Sequence, residues 1–162
     1  MNTFEHIYNE QYRPMFRVAK KMVNCNQIAS DIVQDVFISL YQKLTNGEII
    51  RQPAAWLYRA TYNKCIDHFR VQSSFSDNSI LENCYANDDF QSDKSEMIYT
   101  VNNVLSKMNP SEKLLTILYS EGLSYKEIAE VTGIKQTSVG KTLARTLQKF
   151  EQKFKSQYYE LH

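Results

Sequence analysis

Six basic side chains and one acid fall within residues 135–155. Thr137, Lys141, Arg145, Gln148 and Gln152 would share one side of a helix there. Val139, Leu143, Leu147, Phe150 and Phe154 would form the stripe behind them. Such a front suits the major groove: Lys and Arg neutralise phosphates or reach guanine, and Gln reaches adenine. A solvated amphipathic face has the same pattern when taken alone. A second constellation, Arg59, Asn63 and Arg70, falls in a narrow arc bordered by Trp56 and Ile66, with Tyr62 and Lys64 flanking it more widely. Cations for a backbone beside flat rings for bases are what a single nucleic-acid strand needs. The plainer alternative is a core Trp among ordinary surface arginines. In a third group, Asp31, Gln34 and Asp35 frame Ile38 on the polar side of a helix. An apolar side chain framed by acids and an amide fits a protein contact, although a single exposed Ile is also normal.

Reaction chemistry has little support. There is no P-loop, no G-x-G-x-x-G and no nucleophile elbow. Asp67 and His68 are adjacent, and adjacent residues on a helix do not face each other, so they form no dyad. Cys25, Cys65 and Cys84 are widely spaced, with no C-x-x-C pair and no His cluster, which argues against zinc. Three free thiols are expected, and with them a reducing, cytoplasmic compartment. The N-terminus lacks an apolar signal core, and no run approaches the length of a membrane span. No cofactor or metal is expected.

The elements that must position these groups are all helical. Four glycines and three prolines punctuate 162 residues, strand-like alternation is nowhere sustained, and apolar spacings of three and four recur. "IASDIVQDVFISLYQKL" is amphipathic, with Ile32, Val33, Val36, Phe37, Leu40 and Leu44 toward a core. Another helix starts near Pro53. Further along, Asn109, Pro110 and Glu112 spell a helix start, with Leu114, Leu115 and Leu118 on its buried side. The stretch "SYKEIAEVTGIKQTSV", residues 124–139, reads as a helix-turn-helix. Ser124 and Glu127 make a capping box, Ala129 is small at the crossing, and Gly133 takes the left-handed turn. Ile128, Val131, Ile134 and Val139 close the small core. This turn followed by the basic helix is the familiar DNA-binding geometry.

Charge divides the chain as well. The net charge is +1 overall, but +3 over residues 1–71, −4 over 72–95 and +2 over 96–162. The expectation is two small helical domains, 1–71 and 96–162, joined by a flexible acidic linker, 72–95.

Three segments in order resemble a known family, the extracytoplasmic-function sigma factors of bacterial RNA polymerase, within the sigma-70 superfamily. "DIVQDVF" at 31–37 resembles the region that docks on the polymerase clamp helices. "PAAWLYRATYNKCIDHFR" at 53–70 resembles the helix that engages and opens the −10 promoter element. "MNPSEKLLTILYSEGLSYKEIAEVTGIKQTSV" at 108–139 resembles the −35-reading domain. The resemblance implies core-polymerase contacts at Asp31, Gln34, Asp35 and Ile38. It implies −10 contacts at Arg51, Trp56, Arg59, Asn63, Lys64 and Arg70, with the loop 45–53 capturing a flipped base. It implies −35 contacts at Thr137, Ser138, Lys141, Arg145 and Gln148. The implied partners are the clamp and flap of core polymerase, duplex and single-stranded promoter DNA, and an anti-sigma factor, with no membrane insertion. The linker would thread toward the RNA exit channel. One departure stands out. The family often reads G-T-V-K-S-R-L after the turn, whereas residues 137–143 place Gly140 and Thr142 at the two basic positions and Lys141 between them. Gly140 also weakens its helix by about 1 kcal/mol relative to Ala. The rival reading is a one-component repressor with a helical sensor, which would need a dimer interface and a ligand pocket. A nucleic-acid-modifying enzyme ranks behind both.

Overall fold

A single amphipathic helix cannot bury its own apolar stripe, so these helices form two groups. The computed structural model describes residues 3–74 and 93–160, and all regular structure among them is helical. In chain order the helices are α1 (Thr3–Val23), α2 (Asn26–Thr45), α3 (Pro53–Ser74), α4 (Asp93–Lys107), α5 (Pro110–Ser120), α6 (Tyr125–Thr132) and α7 (Gln136–Glu160). The chain divides into two compact units, Met1–Cys84 and Tyr85–His162. Of the expected linker, residues 72–74 belong to α3 and 93–95 to α4, and 75–92 lie outside the described residues.

In the first unit α1, α2 and α3 each pack on the other two. Met15, Val18, Ala19 and Met22 meet Val33, Val36 and Leu40 and then Leu57 and Cys65, all essentially without solvent exposure. Removing each large side chain from water stabilises this core by about 1.5–3 kcal/mol. The buried Thr61 hydroxyl lies 3.6 Å from the Met15 sulfur, and no buried side-chain nitrogen or oxygen among the described residues lacks a hydrogen-bond partner. Leu44, expected in the core, is only half-buried, because α2 is already leaving the bundle there. α1 ends where Asn24 takes a left-handed φ of 53° and donates its N–H to the Lys20 carbonyl at 2.7 Å. Asn tolerates that conformation better than most residues. The expectation of three free thiols is corrected here. Cys65 is free and buried, whereas Cys25, between α1 and α2, is disulfide-bonded. Cys84 lies outside the described residues.

The second unit is built on local hydrogen bonds. Asn109 accepts from the Glu112 N–H at 2.8 Å and Pro110 opens α5. The Ser124 hydroxyl accepts from the Glu127 N–H at 3.2 Å, and the Glu127 carboxylate accepts from the Ser124 N–H at 2.7 Å. Both orphan donors at the start of α6 are thereby satisfied. Gly133 sits at φ 77° and donates to the Ala129 carbonyl at 2.9 Å. Leu114, Leu115, Ile117, Leu118, Ile128, Val139 and Leu143 fill the space between the helices. The expected apolar stripe of α7 is buried only at its start; Leu147, Phe150 and Phe154 are half-buried. α4 packs along α7, with the Asn103 amide donating to the Gln157 side chain at 3.2 Å.

A Cβ at Gly133 would meet nothing within 4 Å, so what confines this position to glycine is backbone conformation and not space. Gly133→Ala should cost about 1–2 kcal/mol, Gly133→Val more, and Gly133→Asn least. The full-length variants should exchange amide hydrogens faster in α6 and α7 while α1–α3 stay as protected as in the parent. Equal protection of α6 in all four proteins would refute this account of the turn.

Candidate nucleic-acid and protein interfaces

The core residues of α2 fix which side chains it shows to solvent. With Ile32, Val33, Val36, Phe37 and Leu40 buried, Asp31, Gln34, Asp35 and Ile38 are all exposed. Ile38 is 55% exposed and Tyr41, one turn on, 49%. An acidic and amide edge therefore runs beside an apolar one. The apolar edge continues onto α1. Tyr41 packs edge-on against Phe4 with ring centroids 5.2 Å apart, and Tyr8 against Phe37 at 4.9 Å. The sequence reading had no account of this aromatic shelf, because its members come from two helices far apart in the chain.

On the other edge of α2, α3 supplies the cations. Asp35 lies 3.8 Å from Lys64 in an exposed ion pair. Sequence reasoning placed these two residues on separate surfaces, one for protein and one for nucleic acid; the fold makes the surfaces adjoin. Arg59, Asn63, Lys64 and Arg70 are all exposed, and Trp56 is half-buried, as are Tyr62 and Ile66. The Arg59 Nε donates weakly to the Ala55 carbonyl at 3.4 Å, which leaves the other guanidinium nitrogens available. Arg70 pairs with Asp67 at 3.9 Å, so Asp67 faces a cation and not His68. Half-burial lowers the His68 pKa from its ordinary value by desolvation. Its imidazole is neutral near pH 7 and forms no dyad with Asp67. Arg51 is exposed in the loop just before α3, where the Gln52 carbonyl accepts from the Trp56 N–H at 3.0 Å.

In the second unit, Thr137, Ser138, Lys141, Arg145 and Gln148 are all exposed on the first half of α7, directly after the turn. Its six basic residues are not equivalent. Lys149 is paired with Glu112, Lys153 reaches the Lys107 carbonyl at 3.4 Å, and Lys155 pairs with Glu151 at 2.7 Å. The Lys155 ammonium donates a hydrogen bond to the Glu151 carboxylate and lowers its pKa. No such contact ties Lys135, Lys141 or Arg145 among the described residues, so the unengaged charge gathers beside the turn. Gly140 also acquires a reason. A Cβ there would lie 3.2 Å from the Tyr125 ring, so the first residue of α6 rests in the space that the family's basic side chain would fill.

Among the described residues, no group of three or more His, Cys, Asp or Glu side chains could hold a metal ion, and no helix is long and apolar enough to cross a membrane. What the exposed groups can do is bind. One unit offers an acidic, partly apolar face beside a basic, aromatic-bordered one, and the other offers a capped helix-turn-helix with cations at its front.

Comparison with known proteins agrees with this division. The sequence model of Sigma-70 region 2 matches residues 7–75, and that of Sigma-70 region 4 matches residues 101–150. A probable RNA polymerase sigma factor of Haemophilus influenzae is 33% identical over 97 residues, which is 58% of this chain and about half, 49%, of that protein. RNA polymerase sigma factor SigZ of Bacillus subtilis is 24% identical over 91% of this chain and 85% of its own. The ECF RNA polymerase sigma factor SigM of Mycobacterium tuberculosis is 21% identical over 88% and 72%. Among solved structures, the fold matches the sigma factor RpoE of Bartonella quintana, crystallised with the anti-sigma factor NepR. The TM-score is 0.69 at 17% identity, over 96% of this chain and 98% of that one. It also matches CnrH, solved with the cytosolic domain of CnrY, with a TM-score of 0.68 at 20% identity over 94% and 88%. With both halves matched and the polar faces set on the corresponding helices, the chain belongs to the sigma-70 family, as an RNA polymerase sigma factor of the extracytoplasmic-function type.

Proposed function

We propose that the first unit docks core polymerase through the outward face of α2 and opens the −10 element along α3, and that the second unit reads the −35 element with α7. The observation that carries this is the adjacency of Asp35 and Lys64 at 3.8 Å. A protein-binding acidic face and a strand-binding basic face share one rigid three-helix unit. A factor that must hold polymerase and melted DNA at once needs that arrangement, whereas a ligand-sensing domain does not. In this reading Asp31, Gln34, Asp35 and Ile38 meet basic and apolar groups of the clamp, with the aromatic shelf alongside. Arg51, Arg59, Asn63, Lys64 and Arg70 follow the separated strand, and Trp56 offers part of its ring. Thr137, Ser138, Lys141, Arg145 and Gln148 face the −35 groove. The chain itself performs no bond chemistry and works in the cytoplasm. The exposed apolar residues of α2 also suit an anti-sigma factor, the kind of partner with which RpoE was solved.

Charge reversal at Asp31 and Asp35 to Lys should abolish binding to core polymerase while leaving helicity unchanged, because both side chains are exposed. Wild-type affinity of the double variant for core, measured by gel filtration or fluorescence, would sink the docking face.

Arg59→Ala with Asn63→Ala should reduce opening more than binding. On a promoter duplex selected from a random library by wild-type holoenzyme, permanganate reactivity of the −10 thymines should fall while duplex retention stays close to normal. Normal reactivity would make the arc a solvated face.

Lys141→Ala and Arg145→Ala should preserve the fold and weaken −35 binding. A base-reading Arg should cost roughly 1–3 kcal/mol and relax preference at one position, while a phosphate contact should weaken all sequences alike and lower the salt slope. Arg145 is the better candidate for the base and Lys141 for phosphate. Affinities of the full chain for duplexes varied at each −35 base, taken at two salt concentrations, decide this. Full affinity in the double variant would mean that another surface reads the element.

A further inference from the structure

The loop between α2 and α3 carries the most exposed large apolar side chain among the described residues. Ile49 is 88% exposed, whereas Ile38 on the docking face is 55%. The loop around it is pinned at both ends. On the α2 side, Asn46 donates to Gln42 at 3.0 Å, Gly47 to Leu44 at 3.1 Å and Glu48 to the Lys43 carbonyl at 3.0 Å. The Lys43 ammonium then grips the Glu48 carboxylate at 2.8 Å, and Gly47 supplies the left-handed φ of 80° that the reversal requires. On the α3 side, the Gln52 carbonyl is held by the Trp56 N–H. Only Ile49, Ile50 and Arg51 span the gap. Ile50 is half-buried, and Ile49 and Arg51 on either side of it are exposed. In an extended segment consecutive side chains alternate, so anchoring Ile50 forces its neighbours outward.

A single exposed aliphatic residue on a surface needs no explanation. This one sits on a braced tip, next to a cation that can hold phosphate and just ahead of the helix proposed to follow the separated strand. Apolar side chains presented in that way act on DNA by entering a base step and unstacking it, at a cost of about a few kcal/mol per step that burial of the side chain helps to offset. Resting on the −10 reading given above, we propose that Ile49 is the wedge of this sigma factor. It enters the base step at the upstream edge of the opening and takes the place of the lost stacking while Arg51 holds the adjoining phosphate. Ile49 contributes to opening and not to recognition of the closed duplex, since an apolar tip has nothing to offer the paired groove edge. The Lys43–Glu48 pair is the brace that keeps the tip from folding back.

The test uses holoenzyme reconstituted from core polymerase and the full chain, on a promoter duplex selected from a random library by the wild-type holoenzyme. The same duplex is also made with a non-complementary, already open −10 segment. Ile49→Ser should lower permanganate reactivity of the −10 thymines about tenfold on the intact duplex, in line with the cost of unstacking one step. Core binding and closed-complex retention should be unchanged, and Ile49→Leu should restore opening. On the pre-opened duplex the Ser variant should match wild type, because the unstacking has been done in advance. Normal opening of the intact duplex by Ile49→Ser overturns the proposal. Equal loss on intact and pre-opened duplexes also overturns it, because Ile49 would then be an ordinary single-strand contact. If Arg59→Ala with Asn63→Ala opens normally while Ile49→Ser does not, the strand-following arc fails and the wedge stands.

Discussion

Burial of Val33, Val36 and Leu40 sets the rotation of α2 about its own axis, and most of what the first unit offers follows from that angle. Once those three side chains are inside, Asp31, Gln34 and Ile38 must face outward. Asp35 must lean toward α3 and Tyr41 toward α1. A one-residue slip of the stripe would turn the docking face by about 100°, a full side of the helix, and would separate Asp35 from Lys64. The binding surfaces are therefore the reverse side of the core packing, and a core change that rotated α2 would damage polymerase binding without touching a single exposed residue.

Features that depend on neighbours three or four positions apart were legible in the sequence. The capping box at Ser124 and Glu127, the Asn109 cap and the left-handed Gly133 form as read, because each is closed by atoms within one turn. The outward residues of α2, α3 and α7 were legible for the same reason, since helical period alone separates them from the stripe. What could not be read is what two helices do jointly. The Asp35–Lys64 and Lys149–Glu112 pairs and the aromatic shelf of Phe4, Tyr8 and Tyr41 join residues about 30 to 37 positions apart. The half-burial of Leu44 and of the distal α7 stripe depends on where a partner helix ends, which no local pattern encodes. The bonded state of Cys25 likewise depends on a partner elsewhere in the chain.

Gly140 shows how a departure from a family pattern can be absorbed. Read as a sequence, it is a lost cation and a weak first turn. In the structure its missing side chain is filled from outside by Tyr125, whose ring stands between α6 and α7. The charge lost at 140 is partly supplied by Lys141 and Arg145, on the exposed face immediately beyond. The front of α7 has thus moved around the helix relative to the family pattern, and it has not disappeared.

The exposed pair between Asp35 and Lys64 has a thermodynamic meaning as well as a spatial one. Each side chain is the other's counter-ion until a larger partner arrives. If polymerase draws Asp35 away, Lys64 is released to seek a phosphate; if DNA takes Lys64, Asp35 is released to the clamp. Linkage requires the two effects to be equal, so whatever help polymerase gives to strand binding through this pair is returned in full to polymerase binding. Solvent sets the ceiling. An exposed pair is worth about 0–1 kcal/mol, which limits this exchange to roughly a fivefold change in either affinity and makes it fade as salt rises.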